Sequence, residues 1–182
     1  MITIHDRSFI PYLDATAINE RIVALARQIS ADYREQRPLF IAILNGSFVF
    51  AADLFRNLSI EAEISFIKLA SYKGTTSTGN IITAIGLEES LHGRHVVLLE
   101  DIIDTGKTLH AFLPQLQHHS PVSVKIAALL TKPSALQYPV HADYTGFEIP
   151  DRFVVGYGLD YDGLGRNLPE LYQEQVKDRL HL

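Results

Sequence analysis

Apolar positions recur along this chain in two alternating rhythms. Between Asp14 and about Tyr33, the residues Ile18, Ile22, Leu25, Ala26 and Ile29 fall three or four apart, the spacing of one helix face, with Asp14 or Thr16 available as N-cap. After Pro38 the rhythm changes. Leu39-Phe-Ile-Ala-Ile-Leu44 is an unbroken apolar run that stops at Asn45-Gly46, which predicts a strand buried on both faces. Ser47 is placed to cap a second helix that runs to about Leu58. Strands are then predicted over Ile64 to Leu69, His95 to Leu99 and Val122 to Leu130, with a helix from Thr105 to about Gln117 between the last two. Strand and helix alternate, so the expected fold class is α/β, a mainly parallel sheet flanked by helices, with functional loops at the carboxyl ends of the strands. The stretch from Phe147 to Gly165, rich in aromatics, Gly and Asp, breaks the alternation and predicts a small accessory lobe.

A length of 182 residues without repeats, low-complexity tracts or linker-like runs fits one domain. With 47% hydrophobic and 20% charged residues, the chain has the composition of a folded core and not of a disordered regulator. The net charge of −5 offers no global field toward nucleic acid or anionic lipid. The absence of cysteine excludes a disulfide scaffold, a thiol nucleophile and thiolate metal sites, and suits a reducing compartment. No basic region followed by an apolar one opens the sequence, and no apolar stretch approaches the ~20 residues that span a bilayer. The expectation is a cytoplasmic protein with no membrane and no nucleic-acid partner.

The richest chemistry lies in Val96-Val-Leu-Leu-Glu100-Asp101-Ile-Ile-Asp104-Thr105-Gly106-Lys107-Thr108, where an apolar strand runs into acids and then into a small hydroxylated turn that opens a helix. Free N–H groups at a helix N-terminus, joined by the Thr105 and Thr108 hydroxyls, form a phosphate cradle. Carboxylates at positions 100, 101 and 104 would repel a phosphate there unless a divalent cation or sugar hydroxyls lie between. The pattern therefore points to a phosphorylated sugar with magnesium. A nucleotide P-loop is rejected, because it needs Gly five positions before Gly106, where Asp101 stands. A turn that only caps its helix would not need all three acids. An EF-hand also fails, since Gly163 at loop position six puts Gly158 and Pro169 at the two ends of the loop. The eight histidines form no metal constellation.

Glu100-Asp-Ile-Ile-Asp-Thr-Gly-Lys-Thr108 after an apolar strand resembles the phosphoribosyl pyrophosphate signature of the type I phosphoribosyltransferases, in the wording of the hypoxanthine-guanine phosphoribosyltransferases. Further matches run from about residue 39 to 172. The resemblance implies that Glu100 and Asp101 hold the ribose hydroxyls and magnesium, that Asp104, Thr105, Gly106, Lys107 and Thr108 grip the 5-phosphate, and that Asp104 is the acid or base at purine N7. Leu44-Asn45-Gly46-Ser47 resembles the pyrophosphate loop, whose strained backbone presents amide donors, although many members carry Lys where Asn45 stands. Lys132, just past Ala127-Ala-Leu-Leu-Thr131, matches the donor to the purine 6-oxo group.

Ile149-Pro-Asp-Arg-Phe153-Val154 and the loop through Arg166 resemble the purine-binding segment. Phe153 would stack on the base, Val154 would bond it through its backbone, Asp160 in that loop would bind magnesium, and Arg166 would hold pyrophosphate. Ser71-Tyr72, followed by Lys73 to Gly79, matches the start of a lid. The implied enzyme transfers 5-phosphoribosyl from phosphoribosyl pyrophosphate to N9 of hypoxanthine or guanine, uses Mg2+, and forms a homodimer or homotetramer. The implied layout is one phosphoribosyltransferase domain over 1–182, with a hood lobe drawn from the N-terminal strand and residues about 143–182. A nucleotide-sensing regulator of the same fold would need a basic face or an added DNA-binding segment, and the chain offers neither. A phosphoribosyltransferase for another base is disfavoured by Lys132, since a 6-amino purine presents no carbonyl there.

Overall fold

The computed structural model describes residues 1–72 and 81–175, with backbone alone for 70–72 and 81–85. In chain order the elements are β1 (Ile2–Ile4), β2 (Arg7–Leu13), α1 (Ala15–Asp32), β3 (Leu39–Leu44), α2 (Phe48–Arg56), β4 (Glu63–Tyr72) and β5 (Ile81–Ile85). There follow β6 (His95–Ile103), α3 (Lys107–His118), β7 (Ser123–Thr131), a short 3-10 turn (Pro133–Ala135), β8 (Tyr144–Glu148), β9 (Val154–Val155) and β10 (Leu171–Glu174).

The apolar run at 39–44 forms β3, flanked by β4 and β6 in a sheet ordered β5-β4-β3-β6-β7-β8. All neighbours pair in parallel except β5, which returns antiparallel on β4 at the edge. Alternate residues of the run serve opposite faces. Phe40 and Ala42 join Val97 and Leu99 beneath α1 and α2, while Leu39, Ile41 and Ile43 join Val96, Leu98 and the α3 residues Leu109, Phe112 and Leu116. Both faces are covered, which is why the run carries no polar position. Each such side chain contributes about 1.5–3 kcal/mol on burial. No described helix is long and apolar enough to cross a membrane.

Asp14 caps α1, its Oδ1 accepting from the Ala17 N–H at 2.8 Å. Ser47 does not cap α2 with its side chain as expected; its hydroxyl turns back and donates to the Ile43 carbonyl at 2.6 Å. That bond ties the loop after β3 to the strand that precedes it. β6 runs to Ile103, past the predicted stop at Leu99, because Glu100, Ile102 and Ile103 still pair with Ala128, Leu130 and Thr131. Glu100 and Asp101 therefore sit on the strand and not in the turn.

A second, antiparallel sheet is ordered β1-β2-β10-β9. Its N-terminal contribution is a hairpin of two strands, where one strand was expected. The expected lobe boundary near residue 143 also moves to after Glu148, because β8 pairs with β7 and belongs to the main sheet. Ser71 and Tyr72 end β4. The expected lid over Lys73 to Gly79 lies outside the described residues.

Candidate active site

The carboxyl ends of β3 and β6 and the start of α3 enclose a cleft of about 240 Å³, lined by Ile43, Leu44, Glu100, Ile102 and the run from Ile103 to Leu109. A larger cavity of about 470 Å³ opens at the opposite end of the sheet, beside Arg37, Phe55 and Glu61. Its charged groups are already paired, Arg37 with Glu61 at 2.7 Å and Glu63 with Arg94 at 2.8 Å, and it gathers none of the residues singled out above.

In the cleft, Gly106 adopts φ +79°, a left-handed conformation that L side chains rarely take, and so turns the chain from β6 into α3. A Cβ here would also press within 3.1 Å of the Leu136 side chain. No side chain caps α3 at Gly106, and the Lys107 N–H finds only the Thr105 hydroxyl at 3.4 Å. The first turn thus presents backbone donors at the positive end of a helix dipole, beside the Thr105 and Thr108 hydroxyls.

Glu100 and Asp101 are consecutive, partly buried acids. Burial, and next the charge of Asp101, push the Glu100 carboxyl well above its usual range. Among the described residues no lysine or arginine forms an ion pair with either. Two crowded oxygen-donor side chains without a counter-charge fit a hard divalent cation that also takes substrate oxygens. Asp101 accepts from the Ile102 N–H at 2.8 Å, and its carboxylate lies so close to Gly46 that any Cβ there would collide with it. The other side of the loop is equally tight: a Cβ on Gly158 (φ +100°) would meet the Gly46 carbonyl. Asn45-Gly46, which follows a cis Leu44–Asn45 peptide, is thus held between Asp101 and the loop that carries Asp160 and Arg166.

Arg166 donates to the Gly158 carbonyl at 2.8 Å and pairs with Asp160 at 2.8 Å. Asp160 also accepts from the Gly163 N–H at 2.7 Å. Among the described residues no three acidic or histidine side chains are grouped closely enough to hold a metal, so Asp160 is not part of one cage with Glu100 and Asp101.

Lys132 is only 6% exposed, and its ammonium stands 3.4 Å from Asp104 and 3.3 Å from Asp151. Its own N–H bonds the Ile103 carbonyl at 2.9 Å, which fixes the residue beside the end of β6. Phe153 is 38% exposed, which leaves part of its ring open to a ligand. Val154 is buried in β9.

Two elements of this arrangement were missed from sequence. Asp151, the second partner of Lys132, stands two positions before Phe153, and the family resemblance implies no role for it. Arg7, whose guanidinium lies 5.3 Å from the Phe153 ring centre, gave no signal, because nothing in the order of residues brings the first strands to the last ones.

An uncapped helix N-terminus, paired acids on the preceding strand and a partly exposed aromatic ring beside a separate sheet have the chemistry a sugar-phosphate transferase requires. Residues 11–162 match the family model described as the phosphoribosyl transferase domain, and the chain belongs to that family. It is 42% identical over 153 residues to the hypoxanthine-guanine phosphoribosyltransferase of Streptococcus pneumoniae, covering 84% of this chain and 85% of that one. It is also 38% identical to the bifunctional protein TilS/HprT of Listeria innocua, matching 86% of this chain but only 26% of that longer protein. Among solved structures, a hypoxanthine-guanine phosphoribosyltransferase from Bacillus anthracis superposes with TM-score 0.84 at 35% identity, covering 93% of this chain and 99% of that one. The sheet with its flanking helices and separate antiparallel sheet is therefore the type I phosphoribosyltransferase fold.

Proposed function

We infer that this chain is a purine-salvage enzyme, a hypoxanthine-guanine phosphoribosyltransferase. It moves 5-phosphoribosyl from phosphoribosyl pyrophosphate to N9 of hypoxanthine or guanine, giving IMP or GMP and releasing pyrophosphate. The observation that carries this reading is the contact between Lys132 and Asp104 at 3.4 Å. O6 and N7 are adjacent on one edge of a 6-oxopurine, so an ammonium and a carboxylate that already touch can address both atoms at once. Lys132 donates to O6. Asp104 takes the N7 proton as the N9 lone pair forms the bond to C1 of the ribose. The C1–oxygen bond to pyrophosphate breaks, and pyrophosphate leaves with the electron pair.

Phe153 stacks on the base, and the Val154 backbone bonds it. The 5-phosphate sits on the first turn of α3, among Thr105, Gly106, Lys107 and Thr108, and pyrophosphate on Asn45-Gly46 and Arg166. The carboxylates of Glu100 and Asp101 also face the positive charge that develops on the ribose ring. Magnesium, for which Glu100 and Asp101 are the proposed oxygen donors on the strand and Asp160 a separate one on the hood loop, would supply neutralisation of the pyrophosphate charge. Both sheets act as one domain, the second as a hood over the base, and the chain assembles as a homodimer or homotetramer in the cytoplasm.

Turnover with phosphoribosyl pyrophosphate, magnesium and each of hypoxanthine, guanine, xanthine, adenine and uracil tests the reading. Nucleotide should form with hypoxanthine or guanine and vanish in excess chelator, returning with magnesium. Failure with every 6-oxopurine overturns it, and full activity in chelator removes the metal. Light scattering at working concentration tests the assembly, which a monomer contradicts.

A further inference from the structure

The second sheet closes a ring of contacts around Phe153. The Glu174 N–H donates to the Phe153 carbonyl at 2.8 Å, the Glu174 carboxylate pairs with Arg7 at 3.4 Å, and the Arg7 guanidinium lies 5.3 Å from the Phe153 ring centre. The same guanidinium lies 4.7 Å from the centre of the Tyr161 ring. Tyr161 in turn meets Phe153 edge to face, with ring centres 5.7 Å apart and planes at 81°. Phe9 supports the pair from the core, 6.2 Å from Phe153. Phe153 is thus fixed at its backbone by Glu174 and at its ring by Arg7 and Tyr161, while more than a third of it stays open.

We propose that Arg7 is a positioning residue for purine binding: held by Glu174, it fixes the Phe153 ring in the plane that receives the base. Arg7 lies before the family match, which begins at residue 11. The proposal rests on the reading of Phe153 as the base platform. A planar guanidinium packed against two rings that meet each other edge to face restrains both against tilting, and a flexible ammonium at the same place keeps the charge but not the plane. Because Arg7 touches neither the phosphate cradle nor the paired acids, its influence falls on the base alone.

The test is steady-state kinetics of the full chain with Arg7→Ala, Arg7→Lys, Phe153→Leu and the Arg7→Ala/Phe153→Leu double variant, with both substrates varied. Arg7→Ala should raise KM for hypoxanthine and guanine roughly three- to tenfold, leaving KM for phosphoribosyl pyrophosphate and kcat within about twofold. Arg7→Lys should fall between Ala and the native chain. In the Phe153→Leu background, Arg7→Ala should add less than about twofold, since a positioning residue has nothing left to position. Equal rises in both KM values, or a full additional effect without the ring, would make Arg7 a general support of the sheet and overturn the proposal. If Phe153→Leu raises purine KM and Arg7→Ala does not, the platform stands and the positioning role falls. If Phe153→Leu leaves purine KM unchanged, the platform itself is wrong and the proposal goes with it.

Discussion

At the end of the parallel sheet, the functional groups are neighbours in sequence. Glu100 to Thr108 occupy one strand end, one left-handed glycine and one helix start; Glu100 and the run from Asp104 to Thr108 line one cleft, while Asp101 packs against Gly46. In the hood, the corresponding groups are far apart in the chain. Phe153 depends on Arg7 and Glu174, Tyr161 on Asp6, and Arg166 on the carbonyl of Gly158, whose α-carbon packs close to the Gly46 carbonyl. The first arrangement is set by buried parallel pairing and resists single changes outside the motif. The second is set by exposed side chains, each contributing little, and answers to changes at many places. On the proposed assignment, the region that would hold the sugar phosphate is therefore built stiff, and the region that would receive the base is built adjustable.

The sharpest way to break this contrast is at the contact between the two chemistries. Asp104→Asn keeps the shape of the strand end but cannot take a proton, so turnover should fall roughly 10²- to 10⁴-fold while phosphoribosyl pyrophosphate still binds. Calorimetric binding beside kcat checks this; a variant within twofold of native turnover removes Asp104 from proton transfer. Lys132→Ala should come next. It deletes a nearly buried ammonium and the charged hydrogen bond proposed for it to the base, which predicts a loss of about 10- to 100-fold in kcat/KM for the purine. The effect on phosphoribosyl pyrophosphate should be much smaller. Equal losses for the two substrates would place Lys132 on the phosphate side and erase the division drawn above.

What was legible beforehand follows the same division. The run 39–44 became β3 with its predicted bounds, and Asp14 took its predicted cap, because continuous burial and capping are decided by residues a few positions apart. The acids and small residues at 100–108 form one contiguous motif, so their placement followed once the strand was found. β5 and β8 were not anticipated. Tyr144-Thr-Gly-Phe-Glu148 mixes polar and apolar positions in a strand that lies at a sheet edge, and β9 is only two residues long. Such strands exist through their partners and carry little pattern of their own. Ser47 misled for a related reason: its hydroxyl had two acceptable partners, and the Ile43 carbonyl at the strand end took it. Asp151 and Arg7 belong to contacts between distant segments that no local spacing encodes.

A smaller effect is expected where the two regions touch. Gly158→Ala places a Cβ against the Gly46 carbonyl at a backbone angle of φ +100°, so either the hood loop or the loop after β3 must yield. The strain should cost about 1–3 kcal/mol in unfolding free energy. Because Gly46 packs on Asp101, KM for phosphoribosyl pyrophosphate should also rise, by about threefold to tenfold. Thermal unfolding and initial rates test the two parts separately. A stability loss with unchanged KM for both substrates would mean that the hood leans on the main sheet without communicating with its chemistry.

The smallest effect should follow Tyr161→Phe, which removes an exposed hydroxyl with its hydrogen bond to Asp6 and its polar contact with Arg7, and leaves every ring contact of the hood in place. The Tyr161 hydroxyl donates to Asp6 at 2.7 Å. That bond lowers the Asp6 carboxyl below its ordinary 3.8 and is the first cause raising the Tyr161 phenol above its ordinary 10.0. For Asp6, a depressed folded value means that the contribution is present above 3.8 and is lost as pH falls through the folded value. For Tyr161, a raised folded value means that the contribution is present below 10.0 and is lost only as pH rises through the folded value. The two windows overlap across the neutral range. The stability difference between native and Tyr161→Phe chains should therefore be small and flat from about pH 5 to 9, and should vanish in acid as the native chain loses the same bond. Purine KM should change less than about twofold at pH 7, since Arg7 still meets both rings. Unfolding measured at intervals of pH, beside initial rates, decides the matter. A rise in purine KM as large as that of Phe153→Leu would show that the hood depends on this single exposed bond, and the picture of an adjustable platform held by many weak contacts would fail.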